Sequence, residues 1–297
     1  MLGERLAAAL GAARDGAAGI ESFAHLLGSR RVGPRGVALA LPEVCEGCAA
    51  LVVALDSLSS AVRDGFVETG SAVAADVAAA DAACAVLGHA GVEVARLTDE
   101  LSRAAAGASP ARGAGRGRAD RGGSERGIDA RQRLGLEASV RRTARELSGA
   151  LRLSELVIAT LELRPTPLDL IDVLRNWSAA PAEGRPVVGI SVASSDGRAN
   201  EVEGDVRAVS GLMELAVGMV SAAGVASPHL TVSRLSDGRS MVRIAERGPR
   251  EGAPAVALDV VLRDGGERAA AVARVVARRA RIELVEATGG RVVTMTF

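Results

Sequence analysis

The 297-residue sequence predicts an α+β protein: long helices first, then a largely antiparallel sheet covered by helices. Three observations carry this. Val209, Leu212, Met213, Ala216 and Val220 recur at helical spacing, so residues 204–221 form an amphipathic helix whose stripe needs a sheet to cover it. Val242/Ile244, Ile282/Leu284 and Val293/Met295/Phe297 alternate with polar or small residues, the period of strands buried on one face. Two seams of apolar residues spaced by alternating fours and threes precede both, as in paired long helices.

Residues 1–30 read as one amphipathic helix carrying Leu2, Leu6, Leu10, Ile20, Phe23, Leu26 and Leu27, with a break expected near Gly16. A turn at 28–36 follows, with Pro34 as its stop signal, and a second helix runs from 37 to about 63, or from Pro42 if that proline marks its start. The first seam is Val73, Val77, Ala80, Cys84, Leu87, Gly91, Val94, Thr98 and Leu101. The second begins near Ile128 and runs through Leu136, Val140, Thr143, Leu147, Leu151, Ser154, Ile158 and Leu161 until Arg164-Pro165-Thr166-Pro167 stops it. Between them, residues 104–127 are rich in Gly, Ala and Arg with almost no apolar bulk, and read as a flexible linker. The expected domains are therefore a helical bundle at 1–163 with that linker inside it, and an α+β domain at 164–297. The latter opens with a helix at 168–177, where Trp177 packs, and the strand VVGISVA. Asp205 is placed to cap the next helix, and the strands HLTVSRL, SMVRIAE, RIELVEA and RVVTMTF follow, with one further helix among them.

Composition narrows the function. Apolar residues make up 48% but aromatics only 1%, so the core is built from Ala, Val and Leu and the surface is a poor stacking platform for bases. The 36 basic residues, all arginine, balance 36 acidic ones, which leaves no net field to draw the chain to nucleic acid or an anionic membrane. Arginine as the only strong base, beside abundant Ala, Gly and Val, suggests a GC-rich bacterial genome. Glu4 and Asp15 interrupt what a signal peptide would need, and Asp76 and Asp81 interrupt the apolar run at 71–90, so a cytoplasmic protein off the membrane is expected. Cys45 and Cys48 form a lone CxxC with Cys84 the other cysteine. Neither His25 nor His89 stands at a spacing that completes a zinc site, so no metal is expected.

The order of the second domain resembles the histidine kinase-like ATPase domain, the GHKL superfamily with its Bergerat-type α/β sandwich. The likeness rests on the Gly204-Asp205 opening, the helix, a β-hairpin, the Glu246-Arg247-Gly248-Pro249 turn, a glycine-containing segment leading into a helix, and a closing hairpin. It covers roughly residues 168–297. The resemblance implies an ATP and Mg²⁺ site, with an acid and, four residues later, a metal-binding Asn on the first long helix. Those positions are Glu214 and Gly218, and a glycine offers Mg²⁺ no side-chain oxygen. An adenine-binding Asp-x-Gly-x-Gly stands here as Glu246, Gly248 and Arg250, and the phosphate-cradling glycines as Gly265 and Gly266 beside Asp264 and Glu267. The helical hairpin ahead resembles the dimerisation and phosphoacceptor domain of histidine kinases, with His89 as the one histidine on its first helix, followed by Ala90 where the family carries an acid or Asn.

The resemblance therefore implies a degenerate histidine kinase: a homodimeric two-component signalling scaffold with no cofactor, whose partner is a response regulator or kinase. The alternatives are an ATP-dependent histidine kinase using Mg²⁺ and Glu214, and a histidine phosphotransferase using His89.

Overall fold

The computed structural model describes residues 2–29, 31–68, 74–108, 128–179, 188–192, 200–246, 267–287 and 291–297. Two compact units emerge, Met1–Ala61 with Leu87–Leu151, and Val62–Val86 with Arg152–Phe297. Helices α1 (Leu2–Gly28), α2 (Pro34–Glu68), α3 (Ala74–Ala108) and α4 (Ala130–Ala159) supply the first, and the last three also contribute turns to the second.

In the first unit the four helices close into a ring of contacts. A Cβ on Gly16 of α1 would lie 2.9 Å from Leu51 Cδ1 of α2, so the glycine lets the two backbones approach. Cys45 Sγ of α2 lies 3.7 Å from Ser102 Oγ of α3. Across α3 and α4, His89 Nε2 stands 4.0 Å from Glu146 Oε2. Arg133 of α4 then closes the ring by donating from Nε to Leu27 O at 2.8 Å and from Nη1 to Val32 O at 2.6 Å, while Nη2 reaches Ser29 O and Leu26 O. These carbonyls belong to the last turn of α1 and the residues after it, groups a helix leaves without internal donors. Leu27, Leu41, Leu51, Leu87, Leu101 and Leu147 are fully buried, each removing an aliphatic side chain from water for about 1.5–3 kcal/mol. Reciprocal hydrogen bonds start α4: Gln132 N donates to Asp129 Oδ1 at 2.7 Å and Asp129 N to Gln132 Oε1 at 3.2 Å.

The second unit holds a five-stranded sheet in the order β2-β4-β5-β7-β6. Its strands are β2 (Gly189–Val192), β4 (Pro228–Arg234), β5 (Ser240–Glu246), β6 (Glu283–Ala287) and β7 (Val292–Thr296). Only β2–β4 is parallel. Leu230 sits opposite Ile244, Val232 opposite Val242, and Val242 opposite Met295, and all five are fully buried on one face. Helix α6 (Val206–Ala222) lies on β4, β5 and β7 and also packs on α5 (Leu170–Ala179) and α7 (Glu267–Arg279). The mixed, largely antiparallel sheet under helices is the predicted α+β architecture. Strands β1 (Thr166–Asp169) and β3 (Glu201–Gly204) pair apart from it, antiparallel.

Several boundaries differ from expectation. Helix α1 runs unbroken through Gly16, because that glycine serves a close approach and not a break. Helix α2 begins at Pro34, and Pro42 lies inside it, exposed. In the first seam Ala80, Cys84, Leu87, Val94 and Leu101 are buried and Gly91 and Thr98 half-buried, whereas Val77 is 48% exposed and Val73 lies outside the described residues. Helix α3 continues to Ala108, so residues 104–108 are helical, and the rest of the expected linker, at 109–127, lies outside the described residues. Thr166 and Pro167 do more than stop a helix: they enter β1, a short edge strand that tolerates proline.

Within α2 and α3, the stretches Pro34–Val67 and Val77–Gly107 are long and apolar enough to cross a membrane. Core helices of soluble proteins have the same length and composition.

Candidate functional site

Helix α6 positions the residues that the resemblance singles out. Asp205 caps it: Oδ1 accepts from Arg207 N at 2.9 Å, and Oδ2 accepts from Arg164 N at 3.0 Å and from Arg207 Nη2 at 3.0 Å. Burial pushes this carboxyl up, but the bonds from Arg207 and Arg164 outweigh it and hold the pKa down to about 2. The cap thus ties the segment after α4 to the start of α6.

Glu214 lies two turns further along, and its Oε1 accepts from Arg152 Nη1 of α4 at 2.8 Å. The carboxylate is already engaged by a guanidinium. Gly218, one turn on, is buried, yet a Cβ there would meet nothing within 4 Å. The position has room for a side chain and offers no ligand. A turn before Glu214 the opposite holds: a Cβ on Gly211 would run into Leu156 of α4, with Cδ1 closest and Cδ2 at 2.9 Å.

Glu246 ends β5, and its Oε2 accepts from Arg291 Nη2 at 2.9 Å. The pair is half-exposed, so it is screened by solvent and contributes little to stability. Gly248, Gly265 and Gly266 lie outside the described residues. Of the four expected cofactor-binding residues, Glu246 alone therefore has a described environment, and like Glu214 it faces an arginine.

His89 stands on α3 with its side chain 49% exposed. Among the described residues one group of metal-binding donors converges: His89, Glu93 and Glu146 bring one ligand atom each to within 4.8 Å of the others. Glu93 follows His89 by four residues and so shares its helix face. Glu146 projects from α4 and is 2% exposed. Glu93 Oε2 also lies 3.0 Å from Arg96 Nη2, an ion pair whose N–H is not aligned for a hydrogen bond on that oxygen. Sequence reasoning found His89 but missed both acids. The i,i+4 spacing of His89 and Glu93 was a legible signal, whereas Glu146 sits beside the seam leucine Leu147 and reads as a solvated residue there.

The other candidates stay apart from this group. His25 is exposed in the last turn of α1, and His229 Nε2 lies 2.9 Å from Ser191 Oγ. Cys48 is buried, and burial pushes its thiol up to about 11, against a hydrogen bond with Thr98 that lowers it. A thiol so protonated is a poor nucleophile.

No protein-family model and no curated protein sequence matches the chain. Among solved structures, the chain is similar to an Acinetobacter baumannii histidine kinase, AdeS, at 13% identity and a TM-score of 0.41, over 69% of this chain and 94% of that one. A likeness of that size carries no argument about activity, and the α+β assignment stands on the chain's own strand order and register.

Proposed function

We propose that the chain is a signalling scaffold on a histidine kinase-like fold, acting through partners such as a response regulator or a kinase and performing no Mg²⁺-ATP chemistry. The observation that supports this is on α6. The acid at the catalytic position is engaged by Arg152 at 2.8 Å, and the position one turn later is a glycine with no oxygen to offer. Mg²⁺ selects several hard oxygen ligands in near-octahedral geometry, and this pair supplies one contested carboxylate. A cytoplasmic homodimer belongs to the proposal. Because Leu87, Leu101, Val140 and Leu147 of the two seams are buried within one chain, such a dimer would use outer faces of the bundle.

Titration of the purified chain with ATP and a non-hydrolysable analogue, with and without Mg²⁺, tests the reading beside thermal unfolding. Ligand at a hundred times its dissociation constant stabilises a fold by about 2.7 kcal/mol, so binding would be visible. No heat and no shift are expected. Mg²⁺-dependent binding that disappears in Glu214→Ala would instead overturn the scaffold reading and favour the ATP-dependent kinase alternative.

A second reading, histidine phosphotransfer, is favoured by one observation: His89 is half-exposed, with the carboxylate of Glu146 4.0 Å from Nε2. A phosphoacceptor needs such access. Acid-labile phosphate after incubation with a phosphorylated donor, lost in His89→Ala, is the outcome it requires.

A further inference from the structure

We propose that His89, Glu93 and Glu146 form a divalent-metal site, of the kind that takes Zn²⁺, between α3 and α4. The inference is independent of the signalling reading and reverses the sequence expectation that the chain has no metal site.

The geometry comes first. Zinc holds imidazole nitrogen at about 2.0–2.1 Å and carboxylate oxygen at about 2.0–2.2 Å, so two ligands of one ion lie roughly 3.3 Å apart at the tetrahedral angle and about 4.2 Å apart at most. His89 Nε2 and Glu146 Oε2 are 4.0 Å apart, too far for a hydrogen bond and within the span of a shared ion. All three ligand atoms lie within 4.8 Å of one another, so side-chain shifts of less than about 1 Å bring them to bonding distance.

The construction of the site favours such closure. His89 and Glu93 are one turn apart on a rigid helix, which fixes their relative positions without loop ordering. Glu146 is 2% exposed, so packing holds its carboxylate in place and little side-chain freedom remains to be lost on binding. Two carboxylates match the charge of a divalent ion.

Ligand chemistry selects the metal. One imidazole nitrogen with two carboxylate oxygens suits Zn²⁺ and its first-row neighbours, whereas Ca²⁺ and Mg²⁺ take all-oxygen shells. Three protein ligands beside a half-exposed histidine leave the fourth position to water, the arrangement of open zinc sites. The ion must displace Arg96 from Glu93. That guanidinium is 45% exposed, and its Nε already lies 4.0 Å from Glu100 Oε1, so it keeps an acidic neighbour when it swings away. Glu93 itself is 14% exposed, so its carboxylate needs a positive partner, and the incoming ion supplies one as the guanidinium leaves.

Zinc chloride titrated into the full metal-free chain, followed by calorimetry and by metal analysis after dialysis, reads the site. One equivalent is expected to bind, with affinity at least tenfold weaker in His89→Ala and in Glu93→Gln, and unchanged in His25→Ala. Co²⁺ in place of Zn²⁺ should give visible ligand-field bands that vanish in His89→Ala. Both substituted side chains reach the surface, and an unchanged far-ultraviolet circular dichroism spectrum verifies that the variants fold. The proposal is overturned if the chain binds no zinc, if both variants bind as the parent does, or if Cys45→Ser rather than His89→Ala removes the metal.

Discussion

Asp205→Asn is the sharpest test of how α6 is held. The carboxylate accepts from two backbone N–H groups and from the Arg207 guanidinium, and its side chain is 5% exposed. Its pKa falls from 3.8 to about 2 on folding. At about 1.36 kcal/mol per unit, this difference makes the ionised carboxyl worth about 2 kcal/mol to the folded state. A depressed folded pKa means that the whole contribution is present above pH 3.8 and is lost as the pH falls through about 2, where less than about 0.5 kcal/mol remains. Asn keeps an acceptor for Arg207 N and so keeps the cap, but it presents an N–H₂ where Oδ2 accepted from Arg164. A protonated carboxyl likewise has one acceptor and one donor, so the two proteins should converge in acid. Urea unfolding followed by the fluorescence of Trp177, the single tryptophan, buried in α5, reads the second unit. The variant should be less stable by about 2 kcal/mol at pH 7, with the gap closing towards pH 2. A gap that stays constant with pH, or none at pH 7, would refute the assignment of the charge to the fold.

Three further outcomes follow from particular contacts. Gly211→Ala and Gly218→Ala gain the same helix propensity, about 1 kcal/mol, on the same helix, yet should move the Trp177 transition in opposite directions. The first methyl meets Leu156, where overpacking costs about 1–3 kcal/mol, and the second meets nothing. Arg133→Ala removes a charged donor to four carbonyls around the end of α1 and should lower stability in circular dichroism melts by about 2–3 kcal/mol; Lys, lacking the planar fork, should recover less than half. Alkylation at pH 8 should spare Cys48 in the native chain and modify it in urea, read by mass spectrometry, because burial keeps the thiol protonated and out of reach; equal native labelling of Cys45 and Cys48 would contradict this.

What could be read from the sequence divides along physical lines. Periodicity reports which face of an element is buried, so the α6 stripe from Val209 to Val220, the alternation at Val242/Ile244 of β5 and Val293/Met295 of β7, and the seams at Leu87–Leu101 and Leu136–Leu151 were all legible, whereas the alternation expected at Ile282/Leu284 falls on an edge strand, β6, where Leu284 is half-buried and Ile282 precedes the strand. Asp205 was legible as a cap because a single acid before an apolar helix has a local job. Glycine was ambiguous. Gly16, Gly211 and Gly218 look alike in the chain, yet one lets Leu51 approach, one makes room for Leu156, and one borders open space, and only the neighbouring helix distinguishes them. Strands β1 and β3 escaped for a related reason: four residues pairing across more than thirty carry too little pattern to stand out.

Pairing partners were the least legible of all. Arg152 with Glu214, Arg291 with Glu246, and Glu146 with His89 each join residues more than forty positions apart, and no local spacing encodes them. A family motif predicts which side chain sits at a position but not what its neighbours do to it. Glu214 illustrates the consequence. As a letter in the sequence it is an acid at the position that the resemblance reads as catalytic, and in the fold it is one half of an ion pair on the face that α6 shares with α4. Glu93 and Glu146 run the other way, reading as ordinary helix surface in sequence and converging on His89 once the helices pack. Among the described residues, metal-binding donors therefore converge where helices α3 and α4 meet, at positions that no motif marks.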